Sequence, residues 1–331
     1  MSTTTAHPAP TAGPGPEHPS GTLPVLAVDL VTEPALLDGI GELARGLEQA
    51  GIGALTLSDG GLHPLHVASL LAPLTRDIGL LPRTDAVYVE PFHLATQLMS
   101  LDHISRGRAG WLLRAETDPA VAAAVGRAVL DLGATAREAA DVLTASRLLW
   151  DSWAPDAVVR DTERGIYVDA SRLQYADFEG ETFSVRGPAI TPRSPQGLLP
   201  VLVADTDREA VGEHAASELA DGRVLDLDVS VGARTETAAE TVRSATASEG
   251  GPALRLVRLV GLDLETDPLG TAGRLAAALR EQGLIAPAPT AGHSLRQQLG
   301  LPPASFDIDP ARRSDRARLT TRAHLTTEDP A

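Results

Sequence analysis

The sequence predicts an α/β fold in which parallel strands are covered by helices. Three observations carry this prediction. Short apolar runs of strand length recur along the chain, most are followed by segments with helical spacing of Leu, Ile and Ala, and 43% of the 331 residues are hydrophobic. Strands that alternate with helices pair in parallel, because each helix returns the chain to the same edge of the sheet.

The first half of the chain contains four strand–helix units. Buried strands in parallel sheets are typically continuous apolar runs, and each unit opens with one. The runs are PVLAVDLV, GALTLSD, DIGLLPRTDA and RAGWLLRA, at 24–31, 53–59, 77–86 and 108–115. Helical segments follow them, and the fourth is a long Ala-rich stretch that ends near Trp150.

Residues 155–198 interrupt this alternation. They hold two of the four Phe, most of the Tyr and several Gly and Pro residues, a composition that predicts an insertion of hairpins and loops. Strand-like runs then resume at 199–204, 223–231 and 253–263, and the last helical segment is GTAGRLAAALREQGL.

The pattern gives seven strands, whereas a closed (β/α)8 barrel has eight and about 250 residues. The eighth strand is therefore short, concealed in the pattern, or absent. We assign 1–22 to a disordered tail rich in Pro, Thr and Gly, 23–302 to the α/β domain with its insertion at 155–198, and 303–331 to a polar C-terminal tail.

Composition excludes several classes of function. The formal charge of -16 argues against binding to nucleic acid or to anionic membranes, which requires clustered Lys and Arg. No apolar run approaches the roughly 18 residues of a membrane-spanning helix, and the N-terminus has no secretory pattern. The absence of cysteine excludes disulfides, thiolate catalysis and thiolate metal sites. We expect a cytoplasmic protein.

Three segments resemble a known family. They are EPFHLATQLMSLDHISRGRAGW at 90–111, RLLWDSWAPDAVVRD at 147–161 and LQYADFEGETFSVRGPAITPRSPQG at 173–197. They resemble the bacterial luciferase-like flavin monooxygenases, in the nitrilotriacetate and dibenzothiophene-sulfone monooxygenase branch. SLRQQLGLPPA at 294–304 is similar to the tail of one group within that branch.

The resemblance implies a TIM (β/α)8-type barrel, of which about seven strands are recognisable here. The region between Asp221 and Gly270 is shorter than in the family, and the missing strand is expected there. The resemblance also implies an enzyme that takes reduced FMN from a separate flavin reductase, adds O2 to it and oxygenates a small organic substrate. No dinucleotide-binding loop is required, and GIGELARG at 39–46 does not have the G-x-G-x-x-G spacing.

The resemblance also places the flavin pocket at the strand ends, where several residues of this chain depart from the family. Asp85, Ala86 and Val87 stand where the family strand has threonines under the flavin ring. Leu112, Leu113 and Glu116 stand where the family has polar positions ending in Ser or Thr, and acids replace serines after the strand LLPVLVA. The expected cofactor-binding positions are Asp59, Tyr88, Arg114, Glu116, Arg137, Asp205, Thr206 and Asp207.

Two carboxylates where a phosphate is expected favour an alternative function. A phosphate beside Asp205 and Asp207 is disfavoured unless Arg208 or Arg114 neutralises them. The alternative is a non-catalytic family member that serves as a partner or binding subunit of an active paralogue. In a structural interpretation, the two aspartates cap the helix that follows. Pairing as a homodimer or as a heterodimer with a paralogue fits either function.

Several other residues have structural interpretations. His93 and His103 lie in a helix and are interpreted as packing or capping residues, and Trp111 as part of the barrel wall. His63 and His66 have a spacing that metals use, but no third ligand stands out, so no metal site is predicted. No catalytic residue is assigned.

Overall fold

The computed structural model describes residues 22–230, 234–248 and 251–309. The predicted tails 1–22 and 303–331 lie almost wholly outside these residues, which include Thr22 of the first tail and 303–309 of the second. The strands of the described residues are β1 (Val25–Thr32), β2 (Ala54–Asp59), β3 (Gly79–Asp85), β4 (Trp111–Arg114), β5 (Val158–Asp161), β6 (Ile166–Val168), β7 (Phe178–Glu179), β8 (Ser184–Val185), β9 (Val201–Ala204), β10 (Gly222–Asp228) and β11 (Leu254–Val260).

Helices connect the strands. They are α1 (Ile40–Gln49), α2 (Pro64–Leu71), α3 (Pro91–Ser105), α4 (Pro119–Ala124), α5 (Leu132–Trp150), α6 (Arg208–Val211), α7 (Thr235–Ala247), α8 (Pro268–Glu281) and α9 (Leu295–Gln298), with a π-helix at His214–Leu219 and 3-10 turns at Pro34–Leu36 and Ala170–Arg172. Acidic side chains start several of them: Glu90, Asp118, Asp131 and Asp267 each accept a hydrogen bond from a backbone N–H of the first turn.

Seven parallel strands form a closed barrel in the order β1-β11-β10-β9-β4-β3-β2. All seven predicted strands are confirmed. β11 pairs directly with β1, with Leu256 opposite Val25, so the barrel closes without an eighth strand from the described residues. The described residues between Asp221 and Gly270 supply β10, α7 and β11 to the fold.

The insertion follows α5. Within 158–185, β5 pairs with β6 and β7 pairs with β8, and each pair forms a two-stranded antiparallel sheet. These hairpins lie outside the barrel sheet, and β9 then continues the barrel beside β4. The hairpins therefore have the form that the break in the sequence pattern predicts.

An apolar layer fills the amino-terminal half of the barrel lumen, and α9 closes that end. The buried residues of this layer are Val25, Ala27, Ala54, Leu81, Leu112, Leu202, Ala204, Val224 and Leu256, packed with Leu295, Leu299 and Leu301. Leu295 lies so close to the strands that a Cβ at Gly79 would be 2.7 Å from its Cδ1, and one at Gly110 would be 2.8 Å from its Cδ2. Glycine is needed at both positions to admit the leucine.

The segments that carry the family resemblance meet at this closed end. Asp102 is fully buried; its Oδ1 accepts a hydrogen bond from Gln196 Nε2 (2.6 Å), and its Oδ2 accepts one from Gln196 N (3.1 Å). Gln196 Oε1 in turn accepts from the backbone N–H of Arg296 (2.8 Å). Burial raises the pKa of Asp102, although these donors favour the carboxylate. The conspicuous motifs are therefore part of the scaffold.

Replacement of Leu295 by Ala tests the packing of this end. Leu295 is fully buried, so we expect Leu295→Ala to lower the free energy of unfolding by about 2–5 kcal/mol through lost burial and a residual cavity. Leu70→Ala is the control, because Leu70 is 46% exposed and its loss is expected to cost about 0.5 kcal/mol or less. Urea denaturation measures the free energy of unfolding of both variants. Equal losses would contradict the tight packing of Leu295 at this end of the barrel.

Candidate functional site

The carboxyl-terminal half of the lumen is polar. Alternate residues of a barrel strand face inward. Leu81 belongs to the inner apolar layer, so Arg83 and Asp85 continue the inward face of β3. The same alternation from the other strands of that layer gives the inward polar residues Asp29, Thr56, Ser58, Arg83, Asp85, Arg114, Asp226 and Arg258, together with Asp228, the exposed last residue of β10.

Arg258 is the most buried cation of this group. Its side chain is only 5% exposed, and its Nε and Nη2 donate to the two carboxylate oxygens of Asp226, at 2.7 and 2.8 Å. Its Nη1 lies 3.6 Å from Asp29 Oδ1, which also accepts from the hydroxyls of Thr56 (2.6 Å) and Ser58 (2.9 Å). Burial opposes the charge of Arg258, but the bonds to Asp226 and both carboxylates raise its pKa overall.

A second pair spans the end of β4. Arg83 on β3 donates from Nε and Nη2 to the two oxygens of Asp207, at 3.0 and 2.5 Å. Asp207 follows β9, and β4 separates β3 from β9 in the barrel. This parallel fork-to-fork geometry is the strongest form of an arginine–carboxylate contact. The pair therefore spans this part of the barrel mouth.

Arg114 lies at the end of β4 and contacts two carboxylates. Its Nε is 3.1 Å from Asp85 Oδ1, and its Nη2 donates to Glu116 Oε2 at 3.0 Å. Burial raises the pKa of Asp85 to about 6; Glu116 and Asp207 act in the same direction, whereas Arg114 and Arg83 oppose it. The carboxylates of the mouth thus repel one another despite their pairing.

Eight charged residues that pair with one another form what we call the mouth network. They are Arg83, Arg114, Arg258, Asp29, Asp85, Glu116, Asp207 and Asp226. Three guanidinium groups face five carboxylates, so the formal charge of the network is two units negative when all are ionised. A closed barrel of seven strands is narrower than one of eight, and in the latter side chains already fill the interior. The network is therefore the filling of the upper lumen.

Of the residues predicted to bind a cofactor, Arg114, Glu116 and Asp207 belong to the mouth network. Thr206 lies beside it and donates from Oγ1 to Asp226 Oδ2 at 2.9 Å. Asp205 does not join them, because its carboxylate pairs with Arg223 at 2.7 Å. Arg223 also donates to the carbonyl of Ala245 on α7, so this pair faces the helical layer rather than the lumen.

The capping interpretation of the two aspartates is wrong for Asp207. Asp207 stands at the N-cap position of α6 but makes no side-chain capping hydrogen bond, because Arg83 binds both of its oxygens. The expected counter-ion also differs. Arg208 pairs with Glu213 instead. Asp207 is neutralised by Arg83, which was not among the expected residues.

The other three predicted positions make contacts outside the mouth network. Asp59 Oδ1 accepts from the N–H of Gly61 at 2.8 Å. The Tyr88 hydroxyl accepts from the N–H of Leu130 at 2.9 Å. Arg137 Nε donates to Glu181 at 2.9 Å in an exposed pair. Arg137 lines a groove of about 520 Å³ whose other charged residues include Asp141, Glu179, Glu181 and Glu213. Such a groove does not suit a phosphate.

The histidines have structural roles. His63 caps α2 by accepting from the N–H of Leu65, and burial together with the nearby His66 lowers its pKa. His93 contacts the exposed Glu90, and His103 contacts the carbonyl of Pro192. The described part of the chain contains no group of three His, Cys, Asp or Glu residues that could hold a metal ion. Trp111 is fully buried and donates to the carbonyl of Thr84, as expected for the barrel wall.

The residues at the strand ends do not fit FMN. A phosphate requires donors, but all three guanidinium groups already bind carboxylates, and the hydroxyls of Thr56, Ser58 and Thr206 donate to Asp29 and Asp226. Arg258 Nη1 has no hydrogen-bond partner in the described residues, but it lies buried within the network. A phosphate at this mouth would therefore have to compete with carboxylates for these arginines.

Comparison with known proteins identifies relatives of the chain. The model of the luciferase-like monooxygenase family matches residues 21–261. The chain is 34% identical over 181 residues to N-acetyl-S-(2-succino)cysteine monooxygenase of Bacillus subtilis (strain 168), covering 50% of this chain and 41% of that protein. It is 34% identical over 193 residues to dibenzothiophene-sulfone monooxygenase of Rhodococcus erythropolis, covering 57% and 42%. The chain thus spans about two fifths of the length of these curated relatives.

Solved structures agree on the fold. The barrel superposes on a long-chain alkane monooxygenase with a TM-score of 0.67 at 17% identity, covering 84% of this chain and 95% of that one. It also superposes on EDTA monooxygenase from Chelativorans sp. BNC1 with a TM-score of 0.64 at 17% identity, covering 85% and 98%. Among the described residues, no helix is both long and apolar enough to cross a membrane.

Removal of Arg258 tests the buried part of the mouth network. Arg258→Met leaves Asp226 and Asp29 buried without their cation, so we expect it to lower the free energy of unfolding by about 3–5 kcal/mol at neutral pH. Arg243→Met is the control, because Arg243 pairs with Glu240 at the surface and such pairs contribute about 1 kcal/mol or less. Chemical denaturation compares them, and similar losses would contradict a buried network.

The raised pKa of Asp85 predicts a pH dependence. The folded chain holds this proton more tightly than the unfolded chain, so ionisation of Asp85 lowers the free energy of unfolding as pH rises from about 4 to about 6. Asp85→Asn removes this loss, and its stability relative to the wild type should rise by about 2–3 kcal/mol between pH 4 and pH 7.

Asp263→Asn is the control for this measurement. Its hydroxyl partner Thr266 and two backbone N–H groups lower the pKa of Asp263, so its relative stability should change in the opposite direction over the same pH range. Denaturation midpoints at pH 4 and pH 7 test both variants. A pH-independent difference for Asp85→Asn would disprove the raised pKa.

Proposed function

Because the chain belongs to the luciferase-like monooxygenase family, we propose that it is a non-catalytic member that binds no flavin in its barrel and serves as a partner or binding subunit of an active paralogue. The observation that supports this proposal most directly is the mouth network. In a parallel barrel, ligands bind at the carboxyl-terminal ends of the strands. Here that place is filled by arginines that are paired with carboxylates.

The energetics favour exclusion of an anionic cofactor. Two unit charges about 4 Å apart interact by about 4 kcal/mol at the effective dielectric of a protein surface. A phosphate dianion beside Asp207 or Glu116 meets this repulsion more than once. To gain a cation it must displace a carboxylate, and breaking a buried ion pair costs about 3–5 kcal/mol. Few hydrogen bonds are left to offset these costs, because the hydroxyls already have acceptors.

A second candidate function is that of a two-component monooxygenase, which takes reduced FMN from a separate flavin reductase and oxygenates a small organic substrate. The relatives favour it: one of them, 36% identical over 160 residues, is nitrilotriacetate monooxygenase component A of Aminobacter aminovorans. In this chain such an activity requires the mouth network to open, with Arg83 or Arg114 exchanging its carboxylate for the cofactor phosphate.

A role as a partner subunit agrees with the division of the molecule into two ends. The closed end retains the motifs shared with the relatives, including the buried Asp102–Gln196 contact that fixes the scaffold. The open end carries the substituted residues. A barrel that keeps its scaffold and loses its cofactor contacts remains able to associate through its helices, either with an active paralogue or with a second copy of itself.

Flavin titration separates the two candidates. We expect no calorimetric or fluorescence change with oxidised FMN or with anaerobically reduced FMN up to millimolar concentration, because the arginines of the mouth are already paired with carboxylates. We also expect no oxygen consumption beyond that of an added flavin reductase and FMN alone. Micromolar binding of reduced FMN would contradict the proposal and support the monooxygenase. A complex between the co-expressed, purified paralogue and this chain on gel filtration would support the role as a partner subunit.

A further inference from the structure

Arg83 and Asp207 make the contact that a bound anion would otherwise make. Arg83 lies near the carboxyl-terminal end of β3 and faces the lumen. Its two donating nitrogens bind the two oxygens of one carboxylate. The side chains of Arg83 and Asp207 are 21% and 13% exposed, so the pair sits at the border between lumen and solvent. A guanidinium at such a border, without its carboxylate, is well suited to bind a planar or tetrahedral oxyanion.

The rest of the mouth has a second cation close by. Arg114 is bound to Glu116 and contacts Asp85, whose pKa of about 6 lies near physiological pH. Asp85 responds electrostatically to Arg83 and to Asp207, so these groups form one coupled site rather than isolated pairs. Removal of one carboxylate from this site changes the charge felt by both arginines.

We infer that the barrel mouth is a self-occupied anion site, in which the carboxylate of Asp207 takes the place of a ligand's phosphate or carboxylate group on Arg83. This inference rests on the proposed function, because it names the contact that closes the mouth to anions. It assigns the latent ligand class as small oxyanions and phosphate monoesters. Two acids follow β9, Asp205 and Asp207, and the inference assigns the closure of the mouth to Asp207 alone.

The neighbouring Asp205 provides a matched control. Asp205 follows the same strand and bears the same charge, but its partner is Arg223, whose other contact is the carbonyl of Ala245 in the helical layer. Asp205→Ser and Asp207→Ser therefore make the same substitution and the same change of net charge two residues apart. Only Asp207→Ser frees a guanidinium inside the mouth.

The test measures binding of inorganic phosphate at pH 7 by calorimetry. We expect Asp207→Ser to bind phosphate at least about tenfold more tightly than the wild type and Asp205→Ser, which is about 1.4 kcal/mol. Addition of Arg83→Gln to Asp207→Ser should abolish the gain, since it removes the cation.

A second variant, Asp207→Asn, tests the same site independently. Asp207→Asn retains the shape and an acceptor for Arg83, so it reports on charge if Asp207→Ser fails to fold, and the same gain is expected. No gain in either variant, or an equal gain in Asp205→Ser, would overturn the self-occupied site. Tight FMN binding by the wild type would instead overturn the proposed function, so the two failures are distinguishable. Binding of FMN by Asp207→Ser but not by the wild type supports the same locus for phosphate monoesters.

Discussion

The closure of the barrel with seven strands is the constraint on which the rest of the structure depends. Inward side chains from seven strand ends meet in a narrow space, which they must fill without leaving charges unpaired. The lower lumen meets this requirement with aliphatic side chains, including Leu295 of α9. The upper lumen meets it with ion pairs, of which those of Arg258 with Asp29 and Asp226 are the most buried. The same constraint thus produces a dry lower core and a charged mouth.

Scaffold and site occupy opposite ends of this barrel. At the closed end, Asp102, Gln196 and Arg296 join segments that lie about 100 residues apart in sequence, and these segments carry the family resemblance. They fix how the insertion and the C-terminal segment return to the barrel, which is a requirement of folding. Residues at the open end determine ligands, and there the chain departs from the expected pattern. Family membership and flavin binding are consequently independent conclusions for this protein.

The fold was predictable from sequence because its signals are local, whereas the mouth network depends on contacts between distant residues. Each barrel strand is a short apolar run, and the insertion breaks the pattern visibly. Arg83 and Asp207 are 124 residues apart, and no local pattern indicates that they pair. Asp29 and Arg258 were not predicted for a related reason: each is a charged residue within a largely apolar run. The available signal was parity, because both lie an even number of residues from an inward apolar position, Ala27 and Leu256.

The turn into α6 explains why two aspartates at one strand end have different consequences. The backbone N–H of Asp205 donates to the carbonyl of Val224, so Asp205 still follows the barrel ladder, and its side chain pairs with Arg223 toward the helical layer. Two residues later the chain has turned into α6, and Asp207 reaches back over the mouth to Arg83. Acidic composition alone would treat the two residues as equivalent obstacles to a phosphate. Their partners show that Asp205 balances a charge outside the lumen, whereas Asp207 occupies a cation within it.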